Sequence, residues 1–203
     1  MRRATLPALA VLALAAPPLS GCAGQAQVPP RGGRADKSGE ATLDEFEHVL
    51  AANSSATAAL EQWCARRGLA EAAQVRATVL ADHLDPVSSL PARQALGLGP
   101  QDRLGFRHVQ LECGGVILSE AYNWYAPGLL TAEMNRTLEA SRTPFGKVAA
   151  PLDYVREPID SRRGSAGGCP PGVVLSNRAM LRLPDGRPLA LLVECYTAAN
   201  LGR

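Results

Sequence analysis

The segment Arg187-Pro188-Leu189-Ala190-Leu191-Leu192-Val193-Glu194-Cys195-Tyr196-Thr197 constrains the fold of this chain more than any other stretch. Successive strand residues point to opposite faces, so Ala190, Leu192, Glu194 and Tyr196 share one face while Leu189, Leu191, Val193 and Cys195 fill the other. Both faces read as buried, and Glu194 is a charge on a row where none belongs. Phe106-Arg107-His108-Val109-Gln110-Leu111-Glu112-Cys113 carries the same anomaly with the opposite sign. Arg107 is in register with Val109, Leu111 and Cys113, so it faces the core, away from the polar row His108, Gln110 and Glu112. Two opposite charges on apolar rows must pair with each other, pair with a ligand, or bear a large desolvation cost.

Around these two strands the pattern alternates between helical and extended. Leu43, Phe46 and Leu50 recur at helical spacing, and Asn53-Ser54-Ser55 reads as a stop and a fresh N-cap. A second helix follows, with Leu60, Trp63 and Cys64 on one stripe and Gly68 ending it. From Gln74 the period becomes two, with Val75, Ala77 and Val79 alternating against Arg76, Thr78 and Leu80. Pro86, Pro91 and Gly97 break Asp82 to Pro100 into a loop with at most one short helical turn. After the Arg107 strand, Gly114-Gly115 suits a tight hairpin leading into a strand from Val116 to Tyr125. Thr131 caps a short helix to Ala140, and Lys147 to Arg156 reads as extended. Ser161 to Gly168 reads as a polar surface loop, and a hairpin through Pro184-Asp185-Gly186 closes the chain. The fold class is therefore α+β, an antiparallel sheet of about six strands with two N-terminal helices and one inserted helix.

Met1-Arg2-Arg3 and the apolar run to Leu19 have the layout of a secretory signal, too short for a mature spanning helix. The run ends in Leu19-Ser20-Gly21-Cys22, which resembles the lipobox of bacterial lipoproteins. The expected organisation is a cleaved signal peptide over 1–21, a lipidated Cys22 with a flexible tether over 22–40, and one folded domain over 41–203. Ala23 after the cysteine points to the periplasmic face of the outer membrane, and the membrane is the expected partner through the lipid on Cys22. The tether lacks large apolar residues and, extended, reaches about 60 Å. With 46% hydrophobic residues the chain can build a real core. Its formal charge of +2 falls to zero once Arg2 and Arg3 leave with the leader, so nothing suggests nucleic acid. Export to an oxidising compartment would let Cys64, Cys113, Cys169 and Cys195 form two disulfides in any of three pairings; otherwise Cys64 and Cys195 are small buried hydrophobes.

From about Val49 to Leu201 the chain resembles the chorismate lyase (chorismate pyruvate-lyase) family. The likeness rests on Arg107-His108-Val109-Gln110-Leu111, on Arg142-Thr143-Pro144-Phe145-Gly146, close to the family's Lys-Thr-Pro-Leu-Gly, and on Leu181-Arg182-Leu183 through Glu194. It implies an antiparallel sheet with helices around an enclosed site for a small aromatic carboxylate. It also implies that Arg107 holds the ligand carboxylate, that Glu194 handles the proton at the ring oxygen, and that backbone groups near Ala56 and at Phe145 help grip the carboxylate. The implied reaction releases pyruvate and 4-hydroxybenzoate from chorismate with no metal or redox cofactor. A buried arginine suits bidentate carboxylate recognition, and a buried glutamate with a raised pKa suits protonation of the departing ether oxygen. Glu120 falls about where the enterobacterial form has Gly-Arg, which implies one basic residue fewer around the ligand.

Three readings follow. The protein is a carbon–oxygen lyase acting on chorismate or a related enol ether, a non-catalytic envelope protein that binds an aromatic carboxylate, or a structural lipoprotein in which Arg107 and Glu194 form a buried salt bridge. His83 with Asp82 and Asp85 reads as solvated loop rather than a metal site, and His48 and His108 have no partner at ligand spacing. Tyr122, Trp124 and Tyr125 read as packing, Arg162-Arg163 as a solvated loop, and Arg178 and Arg182 as the exposed row of the last hairpin.

Overall fold

The computed structural model describes residues 41–83 and 86–202. The signal peptide, the lipobox with Cys22 and the tether lie outside the described residues, as does Asp85. Six strands, β1 (Arg76–Ala81), β2 (Gly105–Cys113), β3 (Val116–Tyr125), β4 (Val155–Arg163), β5 (Val173–Arg182) and β6 (Pro188–Thr197), form one antiparallel sheet in the order β1-β2-β3-β6-β5-β4. Among the described residues five α-helices accompany it: α1 (Leu43–Ala51), α2 (Ala56–Arg67), α3 (Pro86–Ala95), α4 (Ala132–Ala140) and α5 (Phe145–Ala149).

The helix ends form where the capping chemistry places them. Thr42 and Glu45 make a capping box on α1, Ser55 accepts from the Ala58 N–H at 3.1 Å on α2, and Thr131 accepts from the Met134 N–H at 3.1 Å on α4. Gly68 ends α2 in the left-handed region at φ 63. Gly114 and Gly115 make the β2–β3 turn with φ 60 and 82, and a Cβ at Gly114 would lie 2.5 Å from the Leu69 carbonyl oxygen.

β6 is buried on both faces because each side of the sheet is roofed. On one side Phe46, Leu60, Trp63 and Cys64 of α1 and α2 pack with Val109, Leu111, Ala121 and Tyr196, and Leu138, Phe145 and Val148 of α4 and α5 pack with Tyr125, Leu181 and Leu192. On the other side Ala92 and Leu96 pack with Met180 and Leu191, and the loop carrying Cys169 covers Val193 and Cys195. Cys64 bonds Cys113 and Cys169 bonds Cys195, one of the three possible pairings, tying α2 to β2 and the β4–β5 loop to β6.

Three stretches differ from the sequence-based expectation. Ser161 to Arg163 reads as surface loop in the sequence but is the end of β4, with Arg163 paired to Asp44 and Glu47. The stretch after Asp82 contains a ten-residue helix, α3, with Pro91 inside it. Pro91 removes one backbone hydrogen bond, a cost of about 3 kcal/mol in a free helix, but Ala92 and Leu96 cover a sheet face that would otherwise be wet. The stretch from Lys147 is not extended at its start: Pro144, at φ −61, leads into α5, whose Phe145, Val148 and Ala149 are buried at helical spacing. A 3-10 turn, Ala150–Leu152, then leads to β4, which runs on through Arg163.

Candidate functional site

The face of the sheet under α2 and α5 carries two rows across the strands. In one, Arg107 stands opposite Asn123 and Asn123 opposite Leu192. In the next, Val109 faces Ala121, Ala121 faces Glu194, and Glu194 faces Asn177. Arg107 and Glu194 are thus two strands and two residues apart, about 12 Å between Cα positions at ordinary strand spacing and rise. Each is 3% exposed, and they do not pair with each other.

Glu194 is held by Arg156 of β4, whose Nη2 donates to Oε2 at 2.5 Å, while the Tyr196 hydroxyl donates to the same oxygen at 3.0 Å. Burial works against the Arg156 cation, but the Glu194 carboxylate more than offsets it and holds its pKa above the ordinary arginine value. Burial, reinforced by Glu194, pushes the Tyr196 phenol well up. Glu194 therefore has two donors on one carboxylate oxygen.

Arg107 has the opposite problem. Its Nη1 donates to the Thr143 carbonyl at 3.4 Å, a long bond, while Nε and Nη2 are buried with no acceptor among the described residues. Burial pulls its pKa below the ordinary value, with the nearby Tyr125 opposing, yet a guanidinium stays charged at neutral pH.

A cavity of about 40 Å³ lies between the sheet and the N-termini of α2 and α5. By the same measure a water needs about 10–15 Å³, so the space takes roughly three waters. Ser55, Ala56 and Thr57 line it from α2, and Pro144, Phe145 and Gly146 from α5. Val109, Leu111, Ala121, Asn123, Leu181, Leu192 and Glu194 rise from the sheet, with Tyr154 and Arg156 at the β4 side. The structure thus brings Ala56, Phe145 and Glu194 together. Arg107 does not line the cavity; its cross-strand partner Asn123 does. Asn123 is 7% exposed, and among the described residues nothing hydrogen-bonds its carboxamide. Tyr154 also lines two surface grooves of about 410 and 590 Å³; the first shares Ser55, Thr57 and Gly146 with the cavity and the second shares Arg156.

Sequence reasoning missed Asn123, Tyr154 and Arg156. Counting from the Gly114-Gly115 turn with no irregularity puts Glu120 on the same face as Arg107. A bulge between Leu111 and Glu112 shifts the register, so Asn123 takes the inward position. Glu120 points to the other face, where it accepts from the Tyr122 hydroxyl at 2.8 Å and lies 2.7 Å from His108 Nε2. His83 is exposed beside Asp82.

A six-stranded antiparallel sheet with helices over an internal cavity is the chorismate lyase-like α+β fold. PhnF from Mycobacterium smegmatis shares it, with a TM-score of 0.50 and 12% identity over 73% of this chain; the chain spans only 66% of PhnF. The effector domain of PhnF alone gives a TM-score of 0.48 at 12% identity, covering 72% of this chain and 90% of that domain. No protein-family model matches the sequence. The chain is 34% identical over 178 residues to the protein y4mC of Sinorhizobium fredii, covering 77% of this chain and 74% of that relative, and belongs to the same family as y4mC.

Proposed function

We propose that the protein is an exported, lipid-anchored binding protein whose cavity takes a small aromatic carboxylate. The observation that carries this reading is the pair Arg107 and Asn123: a buried guanidinium with two nitrogens lacking acceptors, beside a carboxamide with no partner. An anion between them supplies the missing acceptor, since buried polar groups are otherwise hydrogen-bonded. The apolar walls from Val109, Leu111, Leu181 and Leu192 suit a ring, and displacement of Tyr154 toward the grooves gives it room. Two disulfides support an oxidising compartment, in keeping with the lipobox at Cys22 and an outer-membrane address.

Binding rather than lyase chemistry is favoured because Glu194 is already engaged by Arg156 and Tyr196. Its Oε2 already accepts from the Arg156 guanidinium at 2.5 Å and from the Tyr196 hydroxyl at 3.0 Å, so that oxygen is taken up by the protein's own donors. The test is to titrate the protein with 4-hydroxybenzoate by calorimetry and, separately, to incubate it with chorismate while following pyruvate. Saturable binding without pyruvate is expected. Catalytic pyruvate release would overturn the binding reading in favour of the lyase, and neither signal would leave an anchored structural domain.

A further inference from the structure

The charges around the cavity can be summed. Arg156 and Glu194, the charged side chains that line it, neutralise each other at 2.5 Å. Arg107 adds one positive charge from the adjoining row; among the described residues no carboxylate pairs with it, and its Nε and Nη2 have no acceptor. At the second inward position, across the strand from Arg107, stands a neutral carboxamide, Asn123. Lys147 and Glu61, which line a neighbouring surface groove, also pair with each other at 2.6 Å. The interior therefore has one uncompensated positive charge.

We infer that Asn123 sets the charge of the ligand, so that the cavity accepts monocarboxylates and rejects dicarboxylates of the same ring. The inference rests on the carboxylate-binding reading and sharpens it. A carboxamide offers one donor pair and one acceptor. Its N–H groups can share the ligand carboxylate with Arg107, while its oxygen can accept from the guanidinium. It brings no charge to meet a second carboxylate, and a second anion would be taken out of water without a counter-ion. An enolpyruvyl ether of a ring acid carries two carboxylates, so the same charge count that admits 4-hydroxybenzoate excludes chorismate-type compounds as tight ligands.

The test uses the full-length protein in detergent and three probes: 4-hydroxybenzoate, isophthalate, and monomethyl isophthalate. The monoester is larger than the diacid yet carries one charge fewer, which separates charge from size. The monoester is expected to bind at least tenfold more tightly than the diacid. Asn123→Arg, which adds the second cation, is expected to shrink that ratio at least tenfold. If the variant does not fold, the wild-type ratio alone decides. Equal affinity for diacid and monoester, an unchanged ratio in folded Asn123→Arg, or rejection of both while 4-hydroxybenzoate binds would each overturn the charge rule alone. Failure of all three probes to bind would overturn the carboxylate reading itself, and the rule with it.

Discussion

Arg156 reaches from the edge strand β4 across β5 to place its Nη2 2.5 Å from Oε2 of Glu194 on β6, so the acid buried at the centre of the sheet is answered from its border. The two side chains are 17% and 4% exposed, which makes this a nearly dry ion pair. Removing one partner of such a pair leaves an uncompensated buried charge. Arg156→Met is expected to cost about 3–5 kcal/mol of stability. The double variant Arg156→Met with Glu194→Gln is expected to recover most of that loss in denaturant titrations. Additive losses in the double variant would show that the pair is not coupled.

All four tyrosines of the chain, Tyr122, Tyr125, Tyr154 and Tyr196, have pKa values raised by burial, and that of Tyr122, which also donates to Glu120, is pushed up to about 12. A phenol whose folded pKa exceeds its unfolded value of about 10 contributes stability that is complete below pH 10 and is lost as pH rises toward the folded value. Tyrosinate absorbance should therefore stay near baseline at pH 10–11 in native protein and then rise together with loss of circular dichroism. A normal tyrosine titration near pH 10 with the fold intact would contradict these burials.

The disulfides close loops of 49 and 26 residues. In the chain-entropy picture these restrict the unfolded state by about 4 and about 3.5 kcal/mol. Serine replacement of Cys64 with Cys113, or of Cys169 with Cys195, is expected to lower stability by that order, measured without reductant. Reducing agent should destabilise the wild type and leave a variant lacking all four cysteines unaffected.

Tyr154 lines the cavity and both neighbouring surface grooves, and its hydroxyl donates to the Gly146 carbonyl over a long 3.4 Å. Tyr154→Ala is expected to speed association of 4-hydroxybenzoate several-fold in stopped-flow measurements. An unchanged association rate would place the access route elsewhere.

Much of the frame was legible in the sequence because local rules coincide there. The caps at Thr42, Ser55 and Thr131, the glycines at 68, 114 and 115, and the period-two runs of β2, β3 and β6 each give a structural instruction within a few residues. Both buried charges were legible as breaks in those periods. Their partners were not. Arg156 lies 38 residues from Glu194 and meets it only because β5 separates β4 from β6. Asn123 was hidden by one bulge, since a shift of a single residue exchanges the two faces of a strand. Helix α3 was hidden by Pro91, although Ser89, Ala92 and Leu96 are buried at helical spacing and gave a signal that breaker residues outweighed.

The most direct measurement pairs calorimetry with denaturant stability for Arg107→Met. Arg107 is a buried cation without a full set of acceptors, so an apolar side chain of similar length should leave stability equal or higher. The same change should weaken 4-hydroxybenzoate binding at least tenfold. A variant that is as stable as the wild type and no longer binds is the expected result. A wild type that fails to bind, or a folded Arg107→Met that binds as well as the wild type, would contradict the assignment of this cavity to a carboxylate.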